Sequence, residues 1–496
     1  MNSFYLDFFN AKNGEKTCRL NGKLFHSAYN PSKEAENFSS SQKITFAPSC
    51  IVLLEPALSY CAVFLRKRFP SATLIAVRFL QDFSKTDILW DKVLSFSEDG
   101  DFSQTLYSAL GEEKLLSSLI LDWPGSRNIF PETFQKVWQQ IKKAVLTARD
   151  VLYTREKFSR RWFLNSAVFF NYGRNFYSLK KPAKDVVVTA SGPSLQSSIP
   201  LIKQHRASFF LMAVSSSLSV LLSSGIVPDM IVSTDGGFWA EKHLSFNSDT
   251  MEKLKNTVFA LSDECRCPKS ILENHKILPL IYPSSIGEKI CSQCRMEGSF
   301  PALRNGTVSG TAAALALAIS SRKVYFCGLD LAAADGFQHT QPNMLEKNAG
   351  SVDFRLNTKE KRQTAARFSS GQSLEIYRRW FKSQGEIFCR RLFRVSESGI
   401  FSESLDPVKD ISWKEISFDA APSAVEFEKR DNFNKKDLKK MFLEALNDDS
   451  LRKELFPLEA VLLEREKDEE KINDLKIEIQ EKKSEIEKKL RRLFDE

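Results

Sequence analysis

VVVTASGPSL, residues 186–195, sets a run of three valines directly against Ser191, Gly192, Pro193 and Ser194. A β-branched run this apolar reads as a strand buried on both faces, the hallmark of a parallel sheet covered by helices. The four residues after Ala190 read as a stiff corner. Gly192 lets backbone approach closely, and Pro193 fixes φ. In open α/β sheets, ligands sit just beyond the carboxyl ends of the strands, so the corner is a candidate phosphate seat at the start of the next helix.

Working outward, the pattern repeats. DVVVTA (185–190), SFFLMAV (208–214), MIVSTD (230–235), TVFALS (257–262) and KVYFCGLD (323–330) read as strands separated by helical or small-residue stretches. Alternation of this kind predicts a Rossmann-like, mostly parallel sheet with helices on both faces. Asp235 and Asp330 fall at strand ends. NGTVSGTAAALALAIS (305–320) gives a second small-residue loop, running into an alanine-rich helix narrow enough to pack close to a sheet. His339 stands in DGFQHT, and His243 in FWAEKHL after the Asp235 loop.

The chain's 496 residues exceed one core, and 42% hydrophobic content suits globular domains. Residues 1–130 read as a smaller α/β unit: SCIVLLE (49–55), a helix over 57–69, and ATLIAVRF (72–79). Its first turn, Glu55-Pro56-Ala57-Leu58, has no glycine. A dinucleotide cradle needs glycines, so this half is expected to be structural or partner-binding. Residues 131–180 form a long connecting helix, 181–405 the central domain, and 406–496 a mainly helical C-terminal region. There Ile472, Ile479, Ile486 and Leu493 recur every seven residues. The second row of that seam is mostly polar, which points to a helix packed along the body. Homo-oligomer formation through it is the alternative.

Several classes are disfavoured. No apolar run reaches the roughly 18 residues of a membrane span. The N-terminus lacks the basic-then-apolar order of a secretory signal, so the cytoplasm is the expected compartment. Nine cysteines in 496 residues do not make a disulfide scaffold. Cys265, Cys267, Cys291, Cys294 and His275 depart from paired CxxC zinc spacing, and no metal ligand is assigned. The net charge of +9 suits an anionic ligand, but no basic stripe with interleaved aromatics marks a nucleic-acid binder. RRWF occurs at 160–163 and 378–381, with arginines read as snorkelling at a core edge and, as the alternative, as phosphate or acceptor contacts.

The SGPSL corner, the PDMIVSTD strand, and the loop-helix-strand ending in GLDLA with a downstream HT together resemble the motility-associated factor family of flagellin glycosyltransferases. The resemblance covers roughly residues 130–400. More distantly, the chain is similar to bacterial sialyltransferases, and the same core domain type occurs in 6-hydroxymethylpterin pyrophosphokinases. The resemblance implies transfer of a nonulosonic acid from a CMP donor to Ser or Thr of flagellin, in support of filament assembly and motility. It implies that Ser191, Gly192, Pro193 and Ser194 hold the nucleotide phosphate, and that Asn305, Thr307, Ser309 and Gly310 add hydrogen bonds. Asp235 and Asp330 would orient ribose or sugar hydroxyls. His339 is the expected general base, since imidazole accepts a proton near neutral pH, with His243 as its substitute. No cofactor is firmly implied, and the need for a divalent metal is open. The alternatives are an ATP- and Mg²⁺-dependent pterin pyrophosphokinase and a non-catalytic binding protein.

Overall fold

The computed structural model describes residues 6–332, 339–343, 372–396, 404–418, 425–430, 435 and 437–495. It divides into two compact units, one of residues 1–160 with 448–485 and one of 161–447 with 486–496.

The first unit holds four parallel strands, β1 (Cys50–Leu54), β2 (Thr73–Arg78), β3 (Lys92–Ser95) and β4 (Ser118–Asp122), in the order β3-β2-β1-β4. Helix α1 (Tyr60–Arg68) makes the expected crossover between β1 and β2. Val52, Leu54, Ile75 and Val77 face a core completed by Phe134, Val137, Ile141, Ala144 and Ala148 of α2 (Pro131–Tyr172). That spacing of three and four is the apolar stripe of the long helix.

The turn after β1 is strained and filled. Glu55, Ala57 and Ser59 have φ of 40°, 47° and 62°, in the left-handed region that costs non-glycine residues energy. A buried network holds them there. Glu55 Oε2 accepts from the Phe79 and Leu80 amides at 2.6 and 3.0 Å, and Oε1 from Arg78 Nη1 at 3.1 Å. Arg78 also donates to the Ala57 carbonyl at 2.8 Å, the Ser59 hydroxyl at 2.9 Å and Asp87 at 2.9 Å. Burial raises the Glu55 carboxyl, against the pull of Arg78 and the two amides. The crevice beyond β1, where a doubly wound sheet would take a nucleotide, is occupied by the chain's own ion pair.

The second unit carries nine parallel strands. They are β5 (Val186–Thr189), β6 (Phe210–Val214), β7 (Met230–Ser233), β8 (Val258–Ser262), β9 (Lys276–Ile281), β10 (Phe300–Pro301), β11 (Val324–Cys327), β12 (Leu392–Val395) and β13 (Lys409–Ile411). The order is β10-β9-β8-β7-β6-β5-β11-β12-β13. Val186 and Val188 face one core, with Ala312, Ala313, Ala316 and Ile319 of α4 (Val308–Ile319). Val187 faces the other, with Leu195, Ile199 and Ile202 of α3 (Leu195–Gln204). The valine run is therefore buried on both sides, as its composition predicts. Strand order reverses between β5 and β11, which places the sheet's switch point beside the SGPS corner.

The C-terminal residues are mainly helical, as expected, and are shared between the two units. Residues 448–485 belong to the first unit, where Lys482 pairs with buried Glu459. Along helix α6 (Glu469–Asp495), Ile479 and Ile486 of the seven-residue seam are buried within this chain, with Leu490. An oligomer contact would have to use the helix's other faces. Among the described residues no helix is long and apolar enough to cross a membrane.

Removing the Arg78 guanidinium leaves Glu55 buried without its counter-charge, a loss that typically costs about 3–5 kcal/mol. Arg78→Met should lower the urea midpoint of the first unit accordingly, and Glu55→Gln in the same chain should restore part of the loss. An unchanged midpoint in Arg78→Met would show that the pair does not hold the turn.

Candidate functional site

The corner after β5 is closed by its own neighbours. Gly192 N–H donates to the Gly328 carbonyl at 2.9 Å. A Cβ at Gly192 would lie 2.4 Å from that carbonyl oxygen and 2.6 Å from Asp330 Oδ2, so no side chain fits. Ser194 donates its backbone N–H to Asp330 Oδ2 at 2.7 Å and its hydroxyl to Oδ1 at 2.5 Å. Asp330 is 5% exposed, and burial raises its carboxyl while the two Ser194 bonds oppose the shift.

This arrangement redirects two of the sequence expectations. A phosphate at the start of α3 would need the donors that Ser194 gives to Asp330, and the Asp330 carboxylate stands where the anion would sit. Each such bond to a charged group is worth about 1.5–3 kcal/mol. Gly192, Pro193 and Ser194 therefore shape the corner, and Asp330 locks it instead of facing sugar hydroxyls. Ser191 joins the same knot. Its hydroxyl bonds Ser216 Oγ at 2.9 Å, and its carbonyl accepts Thr340 N–H at 2.8 Å. The Thr340 hydroxyl donates to the Gly192 carbonyl. The segment from His339 to Asn343 is thereby strapped over the corner; Asp335–Gln338 of the DGFQHT motif lie outside the described residues.

Beyond β7, Asp235 is exposed and accepts Gly237 N–H at 2.8 Å through Oδ1. His243 closes the short helix Phe238–His243 and is 7% exposed. Its pKa is lowered by burial first, then by the charge of His339, with Asp235 opposing. The two candidate bases and Asp235 thus share one electrostatic neighbourhood. Among the described residues, His243 Nδ1 is buried with no hydrogen-bond partner.

A helix returning to lay down β11 must start at the carboxyl edge of the sheet, so the loop before α4 lies on the same edge. Asn305 Oδ1 accepts Thr307 N–H at 3.1 Å, and Thr307 Oγ1 accepts Ser309 N–H at 3.2 Å as the helix cap. The first bond fixes which end of the amide is oxygen. Asn305 is 7% exposed, and its Nδ2 has no partner among the described residues. That nitrogen points at the first turn of α4, since a Cβ on Gly310 would meet it at 2.1 Å. Beside it, Arg304 lies 4.0 Å from the Tyr282 ring centroid and 5.0 Å from that of Trp162, and pairs with Glu264 at 2.7 and 2.5 Å.

Trp162 also packs on the Asp235 loop, where a Cβ on Gly236 would lie 2.6 Å from its ring. One member of the first RRWF copy therefore lines the site. Its Arg160, like Arg378 and Arg379 of the second copy, pairs with an acid on its own helix, Glu156 or Glu375. Ser216 and Glu264 lie two residues past the ends of β6 and β8, as Asp235 does past β7, so the strand-end signal could have found them; Tyr377 and Trp380 come from a distant helix, and only their placement marks them. All nine cysteines are free and buried, and among the described residues no three His, Cys, Asp or Glu side chains gather as a metal site.

Residues 162–336 match the family model of 6-hydroxymethylpterin diphosphokinase MptE-like proteins. An uncharacterized protein of Treponema pallidum (strain Nichols) is 28% identical over 333 residues, covering 66% of this chain and 69% of that protein. A second uncharacterized protein of the same organism is 26% identical over 110 residues, covering 21% of this chain and 52% of that one. The fold is similar to the structure of MAf glycosyltransferase from Magnetospirillum magneticum AMB-1, with a TM-score of 0.59 and 14% identity over 99% of this chain and 90% of that chain. Residues 162–336 are thus similar to the MptE-like family, within a chain whose fold is similar to that of a MAf glycosyltransferase.

Proposed function

We propose that this protein is a glycosyltransferase that moves a nonulosonic sugar from a CMP donor to Ser or Thr hydroxyls of flagellin. The fold it shares with a MAf glycosyltransferase supports the transferase class. The donor and the acceptor rest on the order of motifs from SGPSL to HT. One observation carries the reading: the buried Asn305 Nδ2 at the first turn of α4, without a partner among the described residues, on the edge that also bears Asp235, His243 and His339.

In this reading the nucleotide phosphate sits on the Asn305, Thr307, Ser309 and Gly310 side, because Asp330 fills the start of α3. A helix N-terminus with an amide donor stabilises negative charge as it develops on the departing CMP. The bond between the sugar's anomeric carbon and the phosphate oxygen breaks with its electron pair going to CMP. The acceptor hydroxyl oxygen bonds the anomeric carbon and gives its proton to His339. Exposed Asp235 offers acceptors to sugar or ribose hydroxyls. General-base contributions are typically 10²–10⁴-fold. His339→Ala should lower transfer at least about 100-fold, while CMP still raises the melting temperature. Undiminished turnover in that variant removes His339 from the chemistry. Intact-mass analysis of flagellin incubated with the protein and CMP donor should show an added nonulosonate, and no added mass would overturn the proposal.

The match of residues 162–336 to the MptE-like model favours a second reading, pyrophosphoryl transfer from ATP to 6-hydroxymethylpterin. It predicts pterin-dependent release of AMP from ATP with Mg²⁺. The glycosyltransferase reading predicts none, together with stabilisation by CMP.

A further inference from the structure

Helix α5, here Gln372–Lys382, brings two aromatic side chains onto the loop that holds Asn305. A Cβ on Gly306 would lie 3.1 Å from the Tyr377 ring, and Gly306 has φ of +75°. A Cβ on Gly310 would lie 2.9 Å from the Trp380 ring and 2.1 Å from Asn305 Nδ2. Gly306 is called for by its positive φ together with the Tyr377 ring, and Gly310 by the Asn305 amide first and the Trp380 ring second. Tyr377 and Trp380 are only partly buried, so each ring keeps a surface beyond these contacts.

Tyr377 connects the loop to the Asp235 group. Burial raises its phenol, and the Asp235 charge raises it further. The Asp235 loop also reaches this place by packing, since Trp162 lies against Gly236 and 5.0 Å from Arg304, the neighbour of Asn305. Three kinds of group meet here: an aromatic face, a carboxylate that accepts from hydroxyls, and the buried Asn305 Nδ2, which has no acceptor among the described residues. Polyhydroxylated rings match that set, with an apolar C–H face for the aromatic and hydroxyls for the carboxylate. A nucleobase also offers a flat face, and cytosine an exocyclic amine for a carboxylate; the saturated ring is favoured here because the phosphate of the nucleotide is already assigned to the α4 side.

We infer that Tyr377, with Asp235, forms the subsite for the sugar ring of the donor, next to the Asn305 seat of the phosphate and with Trp380 backing the loop, so that Tyr377 positions the sugar beside the histidine pair. This rests on the CMP-sugar reading given above and adds the residue that reads the sugar. The nucleotide lies on the α4 side, and the sugar lies under the aromatic helix toward His243 and His339.

The test compares binding of CMP alone with binding and turnover of the intact CMP-nonulosonate, using the full chain. Tyr377→Ala should raise KM for the donor roughly five- to tenfold, on the scale of one aromatic contact. Its affinity for CMP alone should stay within about twofold of wild type. Tyr377→Phe should retain most of the donor affinity, because the ring face remains. Tyr377→Leu keeps bulk on Gly306 and should behave as Tyr377→Ala, which controls for folding alongside the melting temperature. An unchanged donor KM in both Tyr377→Ala and Tyr377→Leu would overturn the inference. So would a parallel loss of CMP affinity, since Tyr377 would then read the nucleotide. Wild-type protein that binds neither CMP nor the donor would overturn the underlying reading and this subsite with it, a result separable from a failure of the variants alone.

Discussion

Asp330 accepts both the backbone N–H and the hydroxyl of Ser194 across the point where the sheet reverses its strand order. Gly192 and Gly328 make room for this contact, and the two chain segments touch through a backbone hydrogen bond of 2.9 Å. The carboxylate serves as the resident anion of the α3 N-terminus, satisfying a donor and complementing the helix dipole. With that position filled, the start of α4 is one of the helix termini on the same edge that can meet a ligand. The proposed order of the site, from Asn305 through Tyr377 and Asp235 to the histidines, builds on that clasp.

The first unit uses the same device more completely. Glu55 takes the amides of Phe79 and Leu80, and Arg78 occupies the space beside them. There the chain supplies both the anion and its counter-charge, and three left-handed non-glycine residues are held in place by the network. Two parallel sheets in one chain thus carry internal carboxylates at the carboxyl ends of their strands, between β1 and β2 in the first and at the β5–β11 switch point in the second. They differ in what remains beyond: the second sheet keeps an amide nitrogen without a partner among the described residues, an exposed carboxylate and a histidine pair.

Much of the second sheet is written in local composition. The valine run, the SFFLMAV and MIVSTD segments and the alanine-rich helix each announce burial by side-chain type, and each is found where that type demands. Other strands are hidden for physical reasons. KILPLI carries Pro279, which usually argues against a strand, yet it pairs with Leu261 in a parallel ladder. LFRV contains Arg394, a charge that breaks the apolar pattern; it is buried only because Asp410 on the adjacent strand receives it at 2.6 and 2.7 Å. The roles of Ser194 and Asp330 were beyond local reading for a similar reason. A serine in a Gly-Pro corner looks like a phosphate donor until its partner, 136 residues away, is known. Tyr377 carries no local signal, since its meaning comes from the glycine it covers.

The claim on which this account turns is that an anion binds at the first turn of α4, while the Ser194–Asp330 clasp stays shut. A crystal soaked with CMP measures this directly. The account predicts phosphate density within hydrogen-bonding distance of Asn305 Nδ2, with Ser194 still bonded to Asp330. Density at Gly192 with that clasp opened, or CMP bound in the first unit, would contradict it.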